Sequence, residues 1–238
     1  MILIIVCIFL GFYYLYKFKS YKSKIESIKE YLSPYLLTKK VEISKIDENT
    51  ILFKSENNNK SALIFYPGAF VEYTAYKPLL AAIANRGINC FLLKMPLNFP
   101  LFNINAANKI KKKFSKIKNW YIGGHSLGAV SASFHLNFNL TGFKGAIFLS
   151  SYSLMDFSKS DVRILSIFGT EDKIINLKYY RAFKNKYRKN FKEIIIKGGN
   201  HSYFGMYGTM KKDGIPKITN IEQIDFTANE ITNFILEN

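Results

Sequence analysis

The segment Gly123-Gly124-His125-Ser126-Leu127-Gly128-Ala129 (GGHSLGA) carries more structural information than any other part of the chain. It lies between an apolar, β-rich run, Trp120 to Gly123, and a run with helical spacing, Leu127 to Asn137, and so predicts a strand, a tight turn and a helix. Gly124-x-Ser126-x-Gly128 sets a serine in that turn, with small residues two before and two after it so that strand and helix pack closely. A serine held this way projects its hydroxyl above the C-terminal edge of a sheet. The glycines do not form a dinucleotide fingerprint, because His125 stands where G-x-G-x-x-G needs its second glycine.

On either side of this turn, β-like and helical patterns alternate. Ser61 to Tyr66, Ile88 to Lys94, Gly145 to Ser150, Val162 to Gly169 and Phe191 to Lys197 are apolar enough for buried parallel strands. Tyr76 to Arg86, Asn105 to Phe114, Asn176 to Lys186 and Ile221 to Leu236 have helical spacing. Short β-like runs, Val41 to Ser44 and Thr50 to Lys54, precede them. The alternation predicts one α/β domain over 41–238, a mainly parallel central sheet with helices on both faces.

A serine needs a base, and three histidines are present. His125 adjoins Ser126 and is expected to point elsewhere, and His135 lies ~13 Å along the following helix. His201, in the glycine-rich loop Gly198-Gly199-Asn200-His201 after the last strand, is the base this reading selects. The orienting carboxylate is assigned to Asp172, in Gly169-Thr170-Glu171-Asp172 at a strand end, with Glu171 and Asp156 as alternatives. The order Ser126, Asp172, His201 differs from that of the chymotrypsin and subtilisin types.

Before the domain comes Met1 to Tyr16 (MILIIVCIFLGFYYLY), free of charge and followed by Lys17, Lys19, Lys22 and Lys24. At ~1.5 Å per residue this apolar run is short for a bilayer, but snorkelling lysines and interfacial tyrosines make it a feasible hydrophobic anchor helix over 1–19. The lysines on its C-terminal flank predict a cytoplasmic globular part. Residues 20–40 read as a juxtamembrane amphipathic helix, with Ile25, Ile28, Tyr31 and Leu32 at helical spacing up to Pro34.

Hydrophobic residues make up 48% of the chain and charged ones 21%, which excludes wholesale disorder. The net charge of +17 favours anionic partners, acidic lipid among them. Lys, Asn and Ile are abundant together, however, and such a composition accounts for much of the charge without a ligand. No arginine-rich helix, RNP-like strand or zinc finger points to nucleic acid. Cys7 and Cys90 cannot make a disulfide framework or a zinc knuckle, and no cofactor or metal is expected.

From about Ser61 onward the chain resembles the α/β-hydrolase superfamily, in particular a small lidless group within it. The resemblance rests on Tyr66-Pro67-Gly68-Ala69-Phe70-Val71, Lys94 to Asn98, the elbow Gly123 to Ala129, Gly169 to Asp172, and Gly199-Asn200-His201 running into Phe204 to Gly208. It implies a minimal α/β-hydrolase fold and a serine hydrolase acting on acyl esters, lipid-derived ones included, through an acyl-enzyme. By position, the N–H groups of Leu127 and Ala69 would bind the oxyanion, with Phe70 as the fallback for the second. Only Ser151 to Asp161 stands where larger relatives insert a lid, so the pocket should be open, with Tyr73, Tyr76, Phe102, Tyr152, Tyr203 and Phe204 as candidate lining. A thioesterase, amidase or acyltransferase with the same triad is the first alternative. A noncatalytic basic membrane-binding module is the second.

Overall fold

The computed structural model describes residues 20–37, 40–57, 60–187 and 190–237, together with Gly11. The expected anchor at 1–19, Gly11 apart, lies outside the described residues. Among the described residues, no helix is long and apolar enough to cross a membrane.

Strands β1 (Val41–Asp47), β2 (Thr50–Ser55), β3 (Ser61–Tyr66), β4 (Asn89–Leu93), β5 (Asn119–His125), β6 (Gly145–Leu149), β7 (Arg163–Gly169) and β8 (Phe191–Ile196) form one eight-stranded sheet. Its order is β1-β2-β4-β3-β5-β6-β7-β8. From β4 to β8 every neighbouring pair is parallel, whereas β1 pairs with β2 and β2 with β4 antiparallel. Connection length explains the antiparallel β1–β2 pair. Glu48 and Asn49 alone turn β1 into β2, which only an antiparallel pair permits, while the parallel strands are joined by crossovers that include helices or long loops.

Among residues 20–237 the α-helices are α1 (Ile25–Leu37), α2 (Lys77–Asn85), α3 (Ala106–Lys113), α4 (Leu127–Asn137), α5 (Leu177–Lys184) and α6 (Asn220–Leu236). Alternation along β3 splits the core between the two faces of the sheet. Leu63 and Phe65 pack with α2 and α6, and Ala62, Ile64 and Tyr66 pack with α3 and α4. Between β6 and β7, residues 150–162 contain neither helix nor strand, so this crossover supplies no lid helix.

Helix α1 does not stop at Pro34, where the sequence predicts its end; it runs on to Leu37. Ile28 and Leu32, one turn apart, are buried in the same core as α2 and α6, and this tertiary packing sustains a helix whose proline lies on the exposed side. Residues 20–37 are therefore packed on the α/β domain.

Candidate active site

Ser126 occupies the turn between β5 and α4 with φ 52° and ψ −125°. A side chain in that left-handed region costs about 1–3 kcal/mol and persists only where the surroundings impose it. Here the Ser126 N–H donates to the Leu149 carbonyl at 2.9 Å, and the Ser151 hydroxyl donates to the Ser126 carbonyl at 2.8 Å. The flanking glycines admit the exit of β3 against the turn: a Cβ on Gly128 would lie 2.3 Å from both the Tyr66 and the Pro67 carbonyl oxygens.

A second close approach assembles the other two groups. A Cβ on Gly169 would lie 2.0 Å from the Gly199 oxygen, so only glycine lets the end of β7 meet the loop after β8. The N–H groups of Thr170 and Glu171 then donate to the carbonyls of Ile196 and Gly199 at 3.0 and 2.8 Å. Asp172 follows at once. Its Oδ1 accepts the N–H groups of Ile174 and Ile175 at 2.8 and 2.9 Å, and its Oδ2 faces His201 Nδ1 at 3.1 Å. Both side chains are buried, at 0% and 2% exposure.

Burial on its own pushes the Asp172 carboxyl up, but the hydrogen bond and charge of His201 and the Ile175 N–H outweigh it and hold the group below the usual carboxylate range. An ionised carboxylate accepts only, so a neutral imidazole here carries its proton on Nδ1 and its lone pair on Nε2. Nε2 is buried and has no hydrogen-bond partner among the described residues. The His201 ring lies 4.6 Å from that of His125, the residue preceding Ser126, which sets it beside the elbow.

The competing carboxylates are engaged elsewhere. Glu171 pairs with Lys217 Nζ at 3.0 Å, and Asp156 is exposed, accepting the Ser158 N–H at 2.8 Å. The competing histidines are buried away from a base's role. His125 spends both ring nitrogens inside the protein, and His135 Nδ1 faces Asn105 Oδ1 at 3.1 Å.

The loop after β3 holds two of its N–H groups in internal hydrogen bonds. The Gly68 N–H donates to the Tyr76 hydroxyl at 3.1 Å, and the Phe70 N–H donates to the Asn98 carbonyl at 2.7 Å. Phe70, the fallback donor, is thus spoken for. Among the described residues the N–H groups of Ala69 and Leu127 have no partner.

Several supports escaped the sequence reading. Asp213 accepts the N–H groups of His201 and Ser202 and the Ser202 hydroxyl at 3.3, 2.8 and 2.6 Å, while Gln223 exchanges two bonds with the Asn200 backbone. Tyr21 donates its N–H to the Phe70 carbonyl at 2.7 Å and accepts the Glu72 N–H at 3.0 Å, so a strap before α1 pairs with the loop that bears Ala69. Gln223 is a polar residue buried on α6, and neither Asp213 nor the 20–24 strap sits in a periodic pattern. Two candidate pocket aromatics also need correcting: Tyr76 and Phe204 are wholly buried in the core, because their rings pack beneath the loops rather than facing out of them. Aromatic rows instead run through Phe70, Phe99 and Phe102, with centroids 5.4 and 5.0 Å apart, and through Tyr152 stacked on Phe183 at 5.7 Å.

Comparison with curated proteins finds no match. Among solved structures, Est1E from Butyrivibrio proteoclasticus is similar, with a TM-score of 0.59 and 16% identity over 83% of this chain and 99% of that one. A second Est1E structure, with ferulic acid bound, has a TM-score of 0.58 at 17% identity over 82% and 98% of the two chains. A predicted CIB-like hydrolase from Thermoplasma acidophilum has a TM-score of 0.54 at 13% identity, covering 81% of this chain and 98% of that one. At such identities these structures speak for the fold. The alpha/beta hydrolase family profile matches residues 62–225, from the start of β3 into α6, and with the strand order and the elbow it settles the family. The chain belongs to the alpha/beta hydrolase family.

Proposed function

We propose that the chain is a serine ester hydrolase in which Ser126, His201 and Asp172 form the triad. The observation that carries this is the buried Asp172–His201 pair, which commits Nδ1 to the carboxylate and leaves Nε2 unpartnered, with the His201 ring 4.6 Å from that of His125, the residue before the strained Ser126. Ser126 Oγ attacks the acyl carbonyl as its proton passes to His201 Nε2, and the oxyanion rests on the Ala69 and Leu127 N–H groups. The tetrahedral adduct collapses, the leaving alkoxide takes the proton from Nε2, and an acyl-enzyme remains. Water then attacks it with His201 again as base, which releases the carboxylic acid and restores Ser126. Asp172 stays anionic throughout and stabilises the imidazolium.

The substrate class is acyl esters, lipid-derived ones included, admitted over an edge where the β6–β7 crossover supplies no lid helix. The aromatic rows at Phe70, Phe99 and Phe102 and at Tyr152 and Phe183 suit an apolar or aryl acyl group, and the ferulic acid in Est1E is an aryl acid of that kind. Met1 to Tyr16 is read, from sequence, as a membrane anchor that leaves the domain on the cytoplasmic side.

The test is labelling with a fluorophosphonate probe, comparing wild type with Ser126→Ala and locating the modified residue by mass spectrometry. Labelling confined to Ser126 and abolished by the substitution is expected. A folded protein that does not label would overturn the hydrolase reading and favour a noncatalytic module.

A further inference from the structure

His125 fills the first variable position of the Gly124-x-Ser126-x-Gly128 turn, and the triad chemistry makes no use of it. It is nonetheless fully buried, with both ring nitrogens engaged. Nε2 lies 2.9 Å from the His201 carbonyl, which can only accept, so the proton sits on Nε2. Nδ1 is therefore an acceptor, and the Tyr76 hydroxyl 2.8 Å away is its donor. The Tyr76 oxygen in turn accepts the Gly68 N–H at 3.1 Å.

We propose that Tyr76 and His125 form a positioning relay that holds the oxyanion loop and the peptide of the catalytic base in fixed register around Ser126. The inference rests on the serine hydrolase reading above. The chain of donors runs one way: Gly68 N–H to Tyr76, Tyr76 O–H to His125, His125 N–H to the His201 carbonyl. Each end belongs to the machinery. Gly68 precedes Ala69, the donor on the β3 side of the oxyanion hole; His125 precedes Ser126; and the last acceptor is the backbone of His201.

Packing supports the same reading. A Cβ on Gly68 would lie 2.9 Å from both His125 Nδ1 and the Tyr76 oxygen, so the relay occupies the space that a side chain there would need. The rings also neighbour one another in the core at tilted angles, Tyr76 and His125 with centroids 5.8 Å apart and His125 and His201 with centroids 4.6 Å apart. Burial, followed by the nearby His201, pushes the His125 imidazole well below its usual range, which keeps it neutral and the direction of the bonds unchanged. No proton has to move along the relay. It acts by fixing distance, and misplacement of a reacting group by ~1 Å is worth about 10² in rate.

The experiment measures kcat and KM for a soluble p-nitrophenyl ester, together with melting temperature, for wild type, Tyr76→Phe, His125→Leu, His125→Gln and the Tyr76→Phe/His125→Leu double variant. Tyr76→Phe keeps the ring and removes only the hydroxyl. A fall in kcat of about 10–100-fold is expected, with KM within about twofold of wild type. His125→Gln, whose amide can donate to the His201 carbonyl, should recover part of the activity that His125→Leu loses. The double variant should be no slower than the worse single one, because both interrupt the same relay. An unchanged kcat in folded Tyr76→Phe, a double variant as slow as the product of the two singles, or losses that simply follow the melting temperature would each overturn the relay while leaving the hydrolase reading intact. A wild type that neither turns over ester nor labels at Ser126 would overturn both.

Discussion

Gly128→Ala tests whether contact between the elbow and the exit of β3 sets the proposed oxyanion hole. The added methyl would meet two backbone carbonyl oxygens, Tyr66 and Pro67, at 2.3 Å, and real Cβ atoms essentially never come below 3.0 Å. The N-terminal end of α4 must retreat by at least about 0.7 Å, and neither carbonyl can swing away as the tip of a flexible side chain would. That displacement opens the gap between the Leu127 N–H on α4 and the Ala69 N–H two residues beyond Pro67. Donors aimed at a developing oxyanion are typically worth ~10²–10³ each, and loss of alignment should lower kcat by about 10². Stability moves less: overpacking costs about 1–3 kcal/mol, and alanine in a helix returns about 1 kcal/mol of that. The assay is steady-state hydrolysis of a soluble ester, with urea unfolding alongside. Gly142→Ala is the control, since a Cβ there meets only the movable end of the Lys111 side chain. A folded Gly128→Ala enzyme with kcat within threefold of wild type would refute the reasoning.

Asp172→Asn should keep the fold, because the amide oxygen can still accept the Ile174 and Ile175 N–H groups, but it presents a donor to His201 Nδ1 and drives the ring proton to Nε2. With Nε2 unable to accept from Ser126, kcat should fall by up to ~10⁴, while Glu171→Gln stays near wild type; an active Asp172→Asn or a dead Asp156→Asn would reassign the acid. Stability should decline on mild acidification. Burial and then Lys111 push His135 down to about 4, and burial pushes His125 well below its usual value. A histidine with a depressed folded-state pKa takes its proton first in the unfolded chain, so its stabilisation is lost as pH falls from about 6.5 toward the folded value. For His135 this amounts to about 1–2 kcal/mol by pH 4.5 once solvent screening is allowed for, and His125 adds to it with the same sign. Asp172, depressed as a carboxylate, loses its contribution only below this range. Urea midpoints that do not change between pH 6.5 and 4.5 would contradict the buried neutral state of both rings.

The sheet was legible because its strands are apolar runs bounded by turn residues, and β3 and α4 fall where the pattern puts them. Strand direction at β1 and β2 was less so, since an isolated β-like run carries no mark of its partner. The elbow was legible because its chemistry is local: serine and both glycines lie within five residues. Choosing Asp172 over the adjacent Glu171 depended on a meeting of two loops at Gly169 and Gly199, and contacts of that range leave no periodic trace. The same holds for Asp213, a lone acid in a polar loop, and for Asn98, whose backbone rather than side chain holds Phe70. Tyr76 misled for the opposite reason. An aromatic between a loop and a helix resembles pocket lining, and its hydroxyl found a partner in the interior.

The pairing of Tyr21 with the loop after β3 couples the two segments directly. Two backbone hydrogen bonds join the strap to Phe70 and Glu72, Ser23 adds its N–H to the Glu72 carboxylate at 2.9 Å and shares a hydroxyl contact with Thr74 at 2.6 Å, and Lys24 ties the strap to Met206 at 2.9 Å. A pull or twist applied at Ser20 is therefore delivered to the peptide next to Ala69 without crossing the sheet. Residues 20–24 thus brace the loop after β3 from outside the sheet.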